Sequence, residues 1–126
     1  MHVRRGGLVE SFRYAFAGIW HTFKTQRNAR IHLSIAIAVI VVGIILDLKP
    51  GEWAIIGLTI GFVFIAEMLN TVIEAMIDLV TEEYHPLAKQ AKDVAAGAVL
   101  VAAITAVVIG LLILGPPLLA RLGWKP

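Results

Sequence analysis

The chain has 126 residues, of which 59% are hydrophobic and 16% charged, and its 11 glycines add to the apolar share. A soluble domain runs at roughly 45–50% apolar with glycine included and about 25% charged, so this composition excludes a water-soluble enzyme and leaves room for one membrane domain. The absence of cysteine removes disulfide scaffolds and thiolate metal or redox sites, and a net charge of +2 gives no argument for nucleic acid as a partner.

Near the N-terminus, Leu8, Phe12, Phe16, Ile19 and Phe23 recur at four- and three-residue spacing, with Glu10, Arg13, His21 and Lys24 off that stripe. This predicts an amphipathic helix over about 8–28 lying on the membrane surface. A secretory signal peptide is the alternative for such a start, but the long apolar run begins only at residue 31 and no small-residue cleavage pattern interrupts it. Three spans follow, at about 31–48, 53–78 and 94–118. The third is the strongest: no charged residue falls between Val94 and Ala120, which at ~1.5 Å per residue exceeds a hydrocarbon thickness of ~30 Å.

The connection Lys49-Pro50-Gly51-Glu52 is a tight turn, the stretch from Val80 to Asp93 a longer polar link, and Gly115-Pro116-Pro117 marks the end of the third span or a kink in it. Arg4, Arg5, Arg13, Lys24, Arg27 and Arg30 precede the first span, and Lys89 and Lys92 lie between the second and third. Only Lys49, Arg121 and Lys125 lie on the other side, so the N-terminus is expected in the cytoplasm and the C-terminus outside. His2 and His21 read as surface residues, and the four histidines show no ligand-like spacing.

The second span carries Glu67, Asn70, Thr71, Glu74 and Asp78, which at ~100° per residue share an arc of roughly 100°. Apolar residues fill the remainder of its surface. Counted from Trp53, Glu67 lies ~21 Å along the helix and Glu74 ~31 Å, which puts Glu67 inside the leaflet and Glu74 near its surface. A charge at that depth costs about 2.5–3.5 kcal/mol or more unless it is paired or wetted. A lone intramembrane amide often only joins helices. Three carboxylates that can only accept call instead for a cation, protons or basic partners.

Lys92 and Asp93 open the third span on the same side as Glu74 and Asp78, either as an ordinary charge pair at the interface or as part of the same site. Carboxylates for a hard divalent cation beside a lysine for phosphate point to phosphoryl transfer at a membrane surface. No Walker A loop, dinucleotide fingerprint or soluble-kinase catalytic set is present. The first span offers no ionisable residue between Leu33 and Leu46, so a second copy is expected to complete the site. Ala91, Ala95, Ala102 and Ala106 would permit close helix approach between copies.

These residues resemble the prokaryotic integral-membrane diacylglycerol kinase family, which includes undecaprenol kinases. The resemblance is carried by Glu67-Met68-Leu69-Asn70-Thr71-Val72-Ile73-Glu74 with Asp78, by Glu83-Tyr84-His85, and by Ala91-Lys92-Asp93 followed by Ala95 to Leu100. Ser11 to Phe16 and Arg27 to His32 are similar to the undecaprenol kinase branch, and the likeness runs over roughly residues 8–115. It implies an all-α homotrimer, each subunit with a surface helix and three spans, and active sites between subunits at the cytoplasmic face. It also implies transfer of the γ-phosphoryl of magnesium ATP to a lipid alcohol. By resemblance, Glu67 would be the catalytic base, Asn70 would position reacting groups and Glu74 would hold Mg2+. Tyr14, Glu83, His85, Lys92 and Asp93 would contact ATP. One position departs from the family: Gln26 stands where the family has a glutamate that shares magnesium with the Glu74 equivalent. An amide oxygen still coordinates a hard cation but brings no charge.

Undecaprenol is the favoured acceptor and diacylglycerol the alternative; a degenerate, non-catalytic family member and a small transporter subunit are the other readings. Depth separates the last, since a translocation site favours ionisable groups near the midplane on several helices, and here they crowd one end of one helix.

Overall fold

The computed structural model describes residues 6–125 as four helices: α1 (Leu8–Thr25), α2 (Arg27–Ile45), α3 (Pro50–Val80) and α4 (Pro86–Arg121). His2, Arg4 and Arg5 lie outside the described residues. No strand occurs among the described residues, and α2, α3 and α4 are each long and apolar enough to cross a membrane, so the chain is an all-α, multi-pass membrane protein.

α1 ends at Thr25, three residues short of the expected end, because Gln26 turns to extended backbone at φ −104° and ψ 112°. It serves at once as the last cap of α1 and the first of α2. Arg30 holds this corner: its Nη1 donates to the carbonyls of Phe23 and Lys24, each at 3.0 Å, satisfying acceptors the helix end leaves open. The Phe23 ring meets Phe64 of α3 edge to face at a centroid distance of 5.4 Å. Leu8, Phe12 and Phe16 remain exposed, as the apolar stripe of a helix resting on lipid would be within one chain.

α2 stops at Ile45, before the expected end near 48, in a left-handed cap. Asp47 adopts φ 55°, while the N–H groups of Asp47 and Leu48 donate to the carbonyls of Ile44 and Gly43. α3 starts directly after, with Pro50 in its first turn and the Lys49 N–H donating to Glu52 Oε1 at 3.0 Å. Leu46, Leu48 and Ile56 form a buried cluster here, covered by Val39, Val42, Trp53, Ile60, Ile113 and Leu114. Gly43 is required by this packing, since a Cβ on it would come within 2.7 Å of the Trp53 ring and 3.0 Å of Leu48. Gly43→Ala is therefore expected to destabilise the protein by about 1–3 kcal/mol, the usual cost of an extra carbon in a filled core. Reversible unfolding in mixed micelles reads this effect, with Gly57→Ala, which meets open space inside α3, as the control that carries the helix-propensity gain without the clash.

α4 differs most from expectation. It begins at Pro86 rather than near 94, so most of the polar stretch read as a link is its first two turns, and only Thr81 to His85 connect it to α3. His85 caps it, Nδ1 accepting from the Leu87 N–H at 3.1 Å, and Pro86 opens the first turn. Nor does the Pro116-Pro117 pair end the helix, which continues to Arg121 and closes on Gly123 at φ 88°. At ~1.5 Å per residue its 36 residues reach ~54 Å, so α4 overhangs a ~30 Å hydrocarbon layer.

α4 packs chiefly on α3. Ala95 and Ala102, expected to face another copy, are 5% and 1% exposed inside this one chain, where their small size lets the helices close up. α2 presents Ala29 and Ala36 inward, and α3 presents Ile56, Val63 and Glu67 at the seven- and four-residue steps of one helical face. Glu67 thus occupies a position that the pattern of α3 reserves for a core hydrophobe.

Candidate active site

Glu67 is 1% exposed and is, among the described residues, the largest fully buried side chain. The deepest member of the stripe, which a second copy was expected to help complete, is therefore covered within a single chain. The cover comes from α2: His32 Nε2 lies 3.2 Å from Glu67 Oε1, close enough for an ion pair but out of line for a hydrogen bond, and Oε1 receives no donor. Thr71, one turn on, spends its hydroxyl on the Glu67 carbonyl at 2.9 Å.

From Glu67 the stripe climbs toward the surface, through half-buried Asn70 and Glu74 to exposed Asp78. Asn70 Nδ2 donates to Glu74 Oε1 over a long 3.4 Å, while Asn70 Oδ1 is buried without a donor. Two buried acceptors without donors, Glu67 Oε1 and Asn70 Oδ1, stand one helical turn apart on the same face. Unsatisfied acceptors of this kind are costly and mark places where a ligand's donor or a cation belongs. No group of three histidine, aspartate or glutamate side chains poised to hold a metal occurs among the described residues. Magnesium commonly takes one or two carboxylates with waters and substrate phosphates, so the half-buried Glu74 carboxylate fits it.

Lys92 closes the stripe from α4, its Nζ donating to Asp78 Oδ1 at 2.6 Å. It stands ahead of the uncharged run, and the bond to Asp78 raises its ammonium above the ordinary value, with further support from the charges of Asp78 and Glu74. It is a cation at every physiological pH. Asp93 points elsewhere, paired with Lys89 one turn away at 2.6 Å. Glu83 lies in the α3–α4 link, its N–H donating to Thr81 Oγ1 at 3.2 Å, and His85 is the cap of α4. Tyr14 is 45% exposed on α1, which among the described residues packs on α2 and α3 and not on α4. The single chain thus brings Glu67, Asn70, Glu74, Asp78 and Lys92 to one side, and leaves Tyr14 apart from Lys92 and Asp93.

An apolar groove of about 490 Å³ runs along α2, α3 and α4, from Leu118 past Ala106, Thr59 and Val39 to His32. Its polar end is the His32 ring, next to Glu67. Sequence reasoning missed His32, because its partner lies on another helix. The available signal was its place on α2 between Ala29 and Ala36, three and four residues away, on the face whose small residues let α3 approach.

A sequence model of the prokaryotic diacylglycerol kinase family matches residues 13–114. The chain is 50% identical over 109 residues to the undecaprenol kinase of Bacillus subtilis (strain 168), covering 86% of this chain and 89% of that one. It is 52% identical over 114 residues to a diacylglycerol kinase of Synechocystis sp., covering 90% of this chain and 65% of that longer protein. Similarity to the diacylglycerol kinase of Escherichia coli (strain K12) is 29% over 101 residues, or 80% of this chain and 83% of the other.

Proposed function

We propose, from the premise that this chain belongs to the prokaryotic diacylglycerol kinase family, that it moves the γ-phosphoryl of ATP onto the hydroxyl of undecaprenol at the cytoplasmic membrane face. Membership makes it a lipid kinase, a phosphotransferase with an alcohol acceptor. The observation that carries the finer reading is a buried carboxylate against the histidine that ends an apolar groove. An acceptor with its hydroxyl on a long hydrocarbon tail would lie with the tail in the groove and the oxygen at Glu67. The relative named undecaprenol kinase is matched over 89% of its length and the Synechocystis diacylglycerol kinase over 65%, and this fuller match supports the polyprenyl alcohol.

In this scheme the acceptor oxygen attacks the γ-phosphorus, the bond to the β-phosphate oxygen breaks with its electrons leaving on ADP, and the hydroxyl proton passes to Glu67. Glu67 is suited to this because its carboxylate is buried with an oxygen that no donor occupies. Asn70 positions reacting groups between Glu67 and Glu74, and Glu74 would hold magnesium. Bound magnesium supplies charge neutralisation on the phosphate oxygens. Lys92 turns from Asp78 to the ATP phosphates. Tyr14, Glu83, His85 and Asp93 complete the nucleotide site in a homotrimer whose active sites lie between subunits, which would reunite α1 residues with those of α4. The positive-inside pattern supports a multi-pass arrangement in the cell membrane with the N-terminus cytoplasmic.

Lys92→Ala is expected to raise KM for ATP roughly tenfold to a hundredfold, as for loss of a charge-assisted bond worth about 1.5–3 kcal/mol. KM for the lipid and folding should stay unchanged, since the Asp78 left behind has a side chain 62% exposed. Steady-state kinetics in vesicles at varied ATP and fixed lipid measures the effect. Competition tests the acceptor: with undecaprenol and diacylglycerol at equal mole fraction in one vesicle, undecaprenyl phosphate should dominate the extracted products. Dominant phosphatidic acid would replace undecaprenol by diacylglycerol in the proposal.

A further inference from the structure

We propose that His32 is a positioning residue for lipid phosphorylation: from α2, where its ring ends the apolar groove, it seats the neighbouring Glu67 carboxylate beside the place where the acceptor hydroxyl must arrive. The inference rests on the kinase reading above and adds to it a residue from a helix that otherwise supplies only apolar wall.

The two side chains meet through backbone arrangements that would otherwise be unremarkable. Ala29 and Ala36 are 0% and 6% exposed on the α2 face toward α3, and His32 falls between them. Small residues above and below let the helix axes approach, so the ring spans the remaining gap and Nε2 comes to 3.2 Å from Glu67 Oε1. Oε1 receives no hydrogen bond in this geometry and is buried. His32 Nε2 is the cation-capable or N–H donor group brought within ion-pair distance of it among the described residues.

A carboxylate with a free oxygen inside a membrane domain is expensive, and a helix that only needed stability would carry a leucine there. The contact is close but misaligned, as bonds at reacting centres commonly are before substrate tightens them. A small rotation of the ring brings its N–H onto Oε1. The carboxylate is then fixed in one rotamer with its other oxygen free to receive the acceptor proton. The ring also lines the groove, with its side chain 20% exposed, so it touches both the base and the space assigned to the lipid. Tail binding and carboxylate orientation therefore share one residue.

Phe64 packs beside this junction and carries α1 through its edge contact with Phe23. The surface helix, the groove and the base consequently meet within a few residues of His32.

The test compares His32→Phe, which keeps a ring and removes the donor, with His32→Gln, whose amide N–H reaches about as far as Nε2. Both are assayed in vesicles beside the unaltered protein, with thermal unfolding measured in parallel. Expected is a fall in kcat of about tenfold to a hundredfold for His32→Phe, the scale of losing an outer partner that orients an active-site group. KM for ATP should be unchanged and the folded fraction undiminished, and His32→Gln should recover most of the rate. His32→Ala with added imidazole is the second route, and restored turnover there supports the same role should phenylalanine prevent folding. Full kcat in both His32→Phe and His32→Ala overturns the proposal, as does an equal loss in the phenylalanine and glutamine variants that follows their loss of folded protein. Absence of turnover in the unaltered protein would instead strike the kinase reading itself.

Discussion

Glu67→Gln is expected to lower kcat by about 10²–10⁴, the usual contribution of a positioned general base, while leaving KM for ATP within twofold. The substitution keeps shape and removes only the ability to take a proton. Its effect on folding should run the other way. Glu67 is 1% exposed, its Oε1 has no donor, and a neutral amide loses less on burial than a carboxylate does. The variant should thus unfold at the same or a higher temperature than the natural protein. Loss of turnover together with undiminished stability separates a base from a residue that merely holds helices together. Parallel kinetics and thermal unfolding in the same micelles provide both readings. Retained full turnover would remove Glu67 as the base.

Glu74→Gln is expected to raise the magnesium concentration for half-maximal activity by on the order of tenfold or more, because a hard cation loses its charged protein ligand. The effect should appear as a changed metal requirement, with much of the rate restored at high magnesium. Gln26→Glu is the reciprocal change. It places at the α1–α2 corner the carboxylate that the resemblance implies for that position, and the same titration should shift to lower magnesium. Activity measured across magnesium concentrations at saturating ATP checks both. An unaltered requirement in Glu74→Gln would sever Glu74 from the metal.

Much of this architecture is legible in the sequence because a membrane leaves few options. The uncharged run ending at Ala120 has only helix available to it, and the stripe from Glu67 to Asp78 follows from the 3.6-residue period alone. The start of α4 was not legible by hydropathy, since Lys89, Lys92 and Asp93 look like loop residues. The signals that betray it are local: a proline at the first helical position and a histidine able to cap it. The Pro116-Pro117 pair misleads in the opposite direction, since the helix runs on to Arg121 and the chain turns left-handed only at Gly123.

Within the site, residues on one helix could be grouped by spacing, whereas pairs across helices could not. Asp78 with Lys92 and Glu67 with His32 depend on which faces of α2, α3 and α4 meet. Arg30, counted with the basic flank, turns out to tie α1 to α2 by bonding carbonyls, a role that depends on the chain bending at Gln26. Small residues were ambiguous for the same reason. Ala95 and Ala102 suit an interface between copies as well as the contact with α3 that buries them.

The most direct test of the central claim is the fate of labelled γ-phosphate from ATP when the purified protein is held in vesicles containing a long-chain lipid alcohol. Label should pass into the extracted lipid as a phosphate monoester, only with magnesium present, and not with Glu67→Gln. Label that stays in ATP, or emerges only as inorganic phosphate, would contradict lipid phosphorylation by this chain.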